Sequence, residues 1–256
     1  MISIKSEKDI EKMRKAGAIL ADMLMGLKSV VRPGISTADI DTYAERFIRD
    51  NGATPSEKGY VVPGIPDPYP ASVCTSINDE VVHGIPSESR ILIEGDIVSV
   101  DVMACYQGFH ADACYTYAVG SISPKRQALL DVTMKSLELA IAQVRAGATL
   151  GDIGNAVESY VAPKGYGIVR EYAGHGIGRH QHEAPIVLNY GKPGTGVTLL
   201  KNMTIAIEPM IMCGGEKLAD GADGWTVLTA DGSDAAHFEK TVLVTKDGAD
   251  VLTPWQ

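Results

Sequence analysis

The segment from Glu171 to Pro185, EYAGHGIGRHQHEAP, places three of the chain's six histidines, His175, His180 and His182, within eight positions. Gly174, Gly176 and Gly178 surround the first of them and carry no Cβ, so the main chain there can approach a neighbour or ligand unusually closely. A solvated loop with idle imidazoles would look the same, and the carboxylates elsewhere bear on the choice. Asp101 and Asp112 lie in two apolar, β-branched segments, ILIEGDIVSVDV and GFHADACYTYAVG, separated by a turn signal at Gln107 and Gly108. If the turn is Tyr106-Gln107, Asp101 faces Asp112 directly; if it is Gln107-Gly108, Asp101 faces Cys114 and lies diagonal to Asp112. Either register puts both charges on one face of an apolar hairpin, which calls for water or a cation between them.

Two glutamates extend the set. Glu208 ends the apolar strand pattern NMTIAIEPMIM and Glu239 begins that of AAHFEKTVLVT, although each could be an ordinary surface residue. With His175 and the two aspartates they offer one imidazole and four carboxylates, a combination suited to divalent manganese, iron, cobalt or zinc. Charge favours two ions over one: four carboxylates carry about −4, a single divalent cation leaves about −2, and each unpaired buried charge costs several kcal/mol. Two ions about 3.5 to 4 Å apart form a hydrolytic arrangement in which one site generates the nucleophile and the other orients the substrate.

The elements that position these residues repeat. Ser6 to Val31 places Ile10, Met13, Leu20, Met23, Leu24 and Leu27 on one helical face behind a cap at Ser6 and Asp9. A second helix starts at Ser36 and Asp39 and stops at Gly52; a third runs from Ser123 and Pro124 to Gly147, and a fourth opens at Thr149. VRPGISTADIDTYAERFIRDNG laid over VRAGATLGDIGNAVESYVAPKG matches at Val, Arg, Gly, Asp, Ile, Glu and the final Gly without a gap. The offset is too long for a solenoid, so the pattern predicts two related halves, about 1–120 and 121–256, each of two helices followed by strands, in one domain over 1–256.

Composition narrows the function. A chain of 256 residues with 45% hydrophobic content can bury a large core. The net charge of −9 argues against a broad nucleic-acid or anionic-membrane footprint, while leaving room for a local ribosome contact. The amino terminus is charged at once and the run AILADMLMGL is interrupted by Asp22, so neither a signal segment nor a membrane span is expected and the expected location is the cytoplasm. Cys74, Cys105, Cys114 and Cys213 form no CxxC pair and read as reduced thiols.

GHGIGRHQHEAP, IEPM, DGWTV, the Asp101 and Asp112 hairpin and SVCTSINDEVVHGIP together resemble the type I methionine aminopeptidases, in the same order and over nearly the whole chain. The resemblance implies an α+β pita-bread fold, a curved antiparallel sheet flanked by helix pairs with an internal pseudo-twofold. It implies metal ligation of two divalent ions by Asp101, Asp112, His175, Glu208 and Glu239, with Asp112 and Glu239 bridging. It matches His83 and His182 to the two non-ligand active-site histidines, and Tyr69, Cys74 and Trp225 to the pocket around the methionine side chain. Removal of the first methionine from a peptide or nascent protein, by metal-hydroxide attack on the first peptide bond with Glu208 shuttling a proton, is the implied reaction. A compact bacterial form is expected from the short span between His175 and Glu208 and from the lack of a zinc-binding extension before residue 1; a monomer is expected as well.

Several positions depart from that pattern. Gln181 stands where an aromatic residue or Met is usual, facing the expected substrate pocket, and GYVVPGIPDPYP is longer than the family's turn. Ala235, His237, Lys240, Met103 and Ala113 differ around the ligand positions, where supporting contacts tune metal affinity, and His180 is an additional imidazole. No GxSxG, GxxxxGK[ST] or HExxH motif occurs, which removes serine hydrolase, P-loop and zincin readings. An Xaa-Pro aminopeptidase of the same fold and a non-catalytic peptide-binding relative are the alternatives.

Overall fold

The computed structural model describes residues 2–256. Helices α1 (Glu7–Leu27) and α2 (Thr37–Asp50) precede one run of strands, and α3 (Pro124–Ile141) and α4 (Leu150–Val161) precede a second. Those of the main sheet are β1 (Thr54–Pro55), β2 (Cys74–Ile77), β3 (Ile97–Tyr106), β4 (Phe109–Ala118), β5 (Gly174–Gly176), β6 (Glu183–Val187), β7 (Thr204–Ile207), β8 (Glu239–Val244) and β9 (Ala249–Val251). These nine strands run in the order β1-β3-β4-β8-β7-β5-β6, with β2 also on β3 and β9 also on β8, and every pairing is antiparallel. Two three-stranded sheets, centred on Met210–Met212 and Val227–Thr229, complete the fold. None of the described helices is long and apolar enough to cross a membrane.

Reciprocal capping fixes where the helices start. Ser6 N donates to Asp9 Oδ2 at 3.1 Å and Asp9 N returns a bond to Ser6 Oγ at 3.3 Å. Ser36 and Asp39 repeat the exchange, and Thr149 N donates to Asp152 Oδ2 at 2.7 Å at the position the internal repeat pairs with Ser36. The apolar face read for α1 is buried, and Gly17 on it lets the main chain of Leu252 approach so closely that an added Cβ would lie 2.0 Å from its carbonyl oxygen.

The structure differs from the sequence pattern in two places. Helix α3 ends at Ile141 rather than running to Gly147, because the amides of Ala146 and Gly147 leave the helical ladder to bond the carbonyls of Thr245 and Leu199 at 3.0 and 2.9 Å. The run ILIEGD does not extend the following strand, since Asp96 Oδ2 accepts from Ile93 N at 3.0 Å and Gly95 takes φ 95 in a turn.

Strand β3 alternates between two faces, both of them largely buried. Val98, Val100, Val102 and Ala104 join the core shared with the helices, and Ser99, Asp101 and Met103 turn to the other face. Trp255 is 1% exposed against Tyr115 and Phe238, and its Nε1 donates to the carbonyl of Glu239 at 3.0 Å. Trp255→Ala is therefore expected to cost about 3–5 kcal/mol, the range for truncating a buried aromatic, read as a lower denaturant midpoint.

Candidate active site

The hairpin closes with Gln107 and Gly108, both at positive φ, so Asp101 pairs with Cys114 and Met103 with Asp112. Strand pairing then lines up a row. Cys74 opposes Asp101 across β2 and β3, Asp101 opposes Cys114 across β3 and β4, and Cys114 opposes Glu239 across β4 and β8. Asp112, two residues before Cys114, shares their face. On the far side of β8, Lys240 pairs with Ile207, which brings Glu208 to the same end of the sheet.

His175 enters from β5. A Cβ at Gly174 would lie 2.4 Å from the Ala206 carbonyl oxygen, and one at Gly176 would lie 2.2 Å from that of Ala184. The glycines that flank the histidine thus let its strand sit between two others. The His175 Nδ1 lies 2.9 Å from the Gly176 carbonyl oxygen, while Nε2 lies 3.5 Å from Asp112 Oδ2 and 3.6 Å from Glu208 Oε1. With Nδ1–H donating to the main chain, Nε2 faces the carboxylates, where it carries a proton toward Asp112 in the metal-free site and would turn a lone pair to a bound cation. Ligand atoms of Asp112, His175 and Glu239 all fall within 4.8 Å of one another.

The electrostatics are those of a site built for cations. Burial, then the charge of Asp112, raises the carboxyls of Asp101 and Glu239 well above the ordinary range. Glu208 is pushed up to about 7 by burial, helped by Asp112 and opposed by His175. Burial alone would lower the His175 imidazole, but its bond to Asp112 and the charge of Glu208 prevail and raise it to about 9. Asp101 Oδ1, Asp112 Oδ1 and Glu239 Oε1 are buried without a hydrogen-bond partner. Unpartnered buried oxygens on like-charged groups are costly, and divalent cations would satisfy them.

A cavity of about 720 Å³ opens over the cluster. It is lined by all five of these residues and by His83, His182, Tyr69, Cys74 and Trp225. His182 stands at the mouth, its ring 4.4 Å from that of His175 and its Nδ1 2.9 Å from the Tyr60 hydroxyl. Desolvation, with the charge of His175, lowers its imidazole to about 4. His83 has φ 60 and packs edge-on against Tyr172 and Trp225, and burial lowers it to about 4 as well. Tyr69 donates to the Gly84 carbonyl at 2.9 Å and meets Trp225 edge-on at 5.1 Å, while Trp225 Nε1 donates to Asp67 O at 3.2 Å. The longer loop therefore supplies the pocket wall.

Gln181 is the exception among the residues read from the sequence. Its amide Nε2 donates to the Ser56 carbonyl, and it is not among the residues that line the cavity. His180 is exposed on the surface. Sequence reasoning missed three residues here. Glu57 and Tyr60 line the cavity from the loop after β1, where SEKGY reads as an ordinary charged turn. Buried His237, lowered to about 4 by desolvation, leaves Nε2 unpartnered 3.9 Å from Glu208 Oε2; its only sequence signal was a departure from the family pattern.

Comparison with known proteins agrees with this geometry. Residues 11–246 match the model of metallopeptidase family M24. The chain is 46% identical over 253 residues to a methionine aminopeptidase of Clostridium acetobutylicum, covering 99% of each, and 42% identical to that of Escherichia coli, covering 98% of this chain and 94% of the relative. The crystal structure of a methionine aminopeptidase from Thermotoga maritima superposes with a TM-score of 0.95 at 44% identity, covering 99% of both chains. A prolidase from Pyrococcus furiosus, at 22% identity and a TM-score of 0.78, covering 99% of this chain and 66% of that one, shares the fold alone. On its curved antiparallel sheet, its carboxylate and imidazole cluster and this full-length likeness, the chain belongs to metallopeptidase family M24, on the methionine aminopeptidase branch.

Proposed function

We propose that the protein removes the first methionine from peptides and nascent proteins, using two divalent ions of the cobalt, manganese, iron or zinc class held by Asp101, Asp112, His175, Glu208 and Glu239. The observation that carries this reading is the row of buried, unpartnered carboxylate oxygens beside an imidazole whose Nε2 is free to ligate. Charge balance supports two ions over one, and Asp112 and Glu239, the deepest of the carboxylates, would be among the residues that hold them. When bound, such ions supply a nucleophile at neutral pH and polarise the scissile carbonyl.

The chain's own residues do the rest. Glu208, at the edge of the ligand cluster and lining the cavity, would take the proton released by the nucleophile and return it to the leaving amine. When the Tyr60 hydroxyl donates to His182 Nδ1, the ring proton sits on Nε2 and can be offered to substrate, and at neutral pH the imidazole stays uncharged. His83 holds the opposite wall, and Tyr69, Cys74 and Trp225 enclose the methionine side chain and exclude water. The unit is a single catalytic domain over 1–256 in two halves divided near residue 120, acting as a monomer.

Turnover of Met-Ala-Ser by metal-stripped protein given each divalent ion in turn tests this reading. Preference for a peptide with proline second, such as Leu-Pro, would overturn it in favour of a proline-directed peptidase. Tyr60→Phe should lower turnover about tenfold with metal content unchanged, since one hydrogen bond that sets the His182 tautomer is lost.

A further inference from the structure

We infer that the amino-terminal segment 3–5 belongs to the catalytic apparatus, and that Lys5 is a positioning residue which, through Glu183, holds His182 at the mouth of the substrate cavity. The inference rests on the aminopeptidase reading above and adds residues to it. His182 is the last residue of an excursion, 177–182, that leaves the sheet after β5 and rejoins it where Gly176 pairs with Glu183. Two of the loop's bonds, from His110 N to the Gly178 carbonyl at 2.8 Å and from the Gln181 amide to the Ser56 carbonyl, fall before the histidine. Glu183 ties it from behind. Its Oε1 accepts from the His180 amide at 3.1 Å, inside the loop, and its Oε2 accepts from Lys5 Nζ and Ser3 Oγ, each at 2.7 Å, in a distant segment. Lys5 Nζ also donates to Ser3 Oγ, so the two donors brace each other.

The far end of this tie is fixed. Lys5 N donates to the Asn202 carbonyl at 2.9 Å, Asn202 Nδ2 returns a bond to the Lys5 carbonyl at 3.2 Å, and the capped start of α1 follows at once. The loop leaves room for the pair: a Cβ at Gly178 would lie 2.3 Å from Lys5 Cε and 2.9 Å from Glu183 Oε1. Both side chains are deeply buried, at 5% and 9% exposure, which is unusual for either type. His182, by contrast, is exposed. Together with Glu183 it lines both the catalytic cavity and a second hollow of about 440 Å³, whose lining includes Ser3 and Lys5. With open space on two sides, packing alone does not hold the ring, and the restraint has to come from bonds. Tyr60 restrains the imidazole itself, and the Lys5 and Glu183 pair restrains the backbone that carries it. A buried ion pair adds little stability over apolar side chains of similar volume, whereas its directional bonds fix a position.

The test uses the full chain loaded with a divalent ion, with Met-Ala-Ser as substrate. Lys5→Met should lower kcat about 10- to 100-fold with KM nearly unchanged and metal content constant, the loss expected when a reacting group is misplaced by about 1 Å. In a His182→Ala background the same change should leave turnover unaltered, because the group it positions is gone, while the denaturant midpoint falls in both backgrounds. Replacing the pair by apolar side chains, Lys5→Met with Glu183→Leu, should return the midpoint toward wild type and leave kcat low. Ser3→Ala, which keeps the ion pair, should lower kcat about two- to tenfold, and it carries the test if the pair-breaking variants do not fold. An equal proportional loss in the His182→Ala background, wild-type kcat in the apolar pair, loss of metal, or an effect confined to KM each overturns the proposal. A wild type inactive on Met-Ala-Ser with every divalent ion defeats the aminopeptidase reading and this inference with it; an active wild type whose folded variants match it in kcat defeats the inference alone.

Discussion

Stripping the protein of divalent metal should abolish turnover of Met-Ala-Ser, a fall of at least about 10³-fold, because both the nucleophile and the stabilisation of the oxyanion depend on the ions. It should also lower stability. An ion held at a thousand times its dissociation constant contributes about 4 kcal/mol to the folded state, which chelation removes. The metal-free protein should carry a distinctive pH dependence. Glu208 and Glu57 are raised from the ordinary 4.5 to about 7 and about 8, so between 4.5 and about 8 the folded state binds more protons than the unfolded one. Stability from those protons is present at the acid end and is lost as pH rises through the folded values. His175, raised from 6.5 to about 9, changes stability in the same direction. His83, His182 and His237, lowered from 6.5 to about 4, oppose this below 6.5, so the thermal midpoint of metal-free protein should fall chiefly between about 6.5 and about 9, and metal-saturated protein should show a weaker dependence. Glu239→Gln supplies the genetic counterpart: it should lose activity and bound metal together while the metal-free variant is at least as stable as metal-free wild type, since the cost of burying an ionisable carboxyl beside Asp112 has gone. Full activity in chelated protein, measured with residual metal quantified, would refute the metal centre.

His182→Ala should lower turnover by about 10²- to 10³-fold, the usual loss on removing one preorganised donor, and leave metal content unchanged. The imidazole lies beside His175 without being among the residues whose ligand atoms converge within 4.8 Å, and its Nδ1 is occupied by Tyr60. Its effect should therefore appear with metal in place. The activity of Tyr60→Phe should fall between wild type and His182→Ala, and combining the two changes should cost no more than His182→Ala alone, because Tyr60 acts through the ring. Parallel loss of metal and activity in His182→Ala would make His182 a ligand instead.

How much of this was legible in the sequence depends on which interactions set each feature. Helix starts were legible because Ser6 and Asp9, Ser36 and Asp39, and Thr149 and Asp152 are local pairs. Helix α3 stops early for a non-local reason, since its last amides are claimed by carbonyls from distant segments. Asp101 and Asp112 were legible as sharing a face because alternation along a hairpin survives either register, and the register itself followed the left-handed conformation of Gln107 and Gly108. Pairing across β4 and β8 brings Glu239 to the same row over a separation no local pattern encodes. Glu57 had no sequence signal, as an acidic residue in a charged turn is ordinarily solvated and only the folded loop turns it inward. Gln181 resolved differently from its expected place in the pocket, because the partner a buried amide requires proved to be the Ser56 carbonyl.

The row that runs from Asp101 through Cys114 to Glu239 also sets a clock. Residues leave the ribosome in order, and β8 emerges long after the hairpin whose edge it must join. Until then Asp101 and Asp112 have no third carboxylate beside them and the sheet has an open edge, so a partly made chain carries most of the acidic residues of the centre and none of its activity.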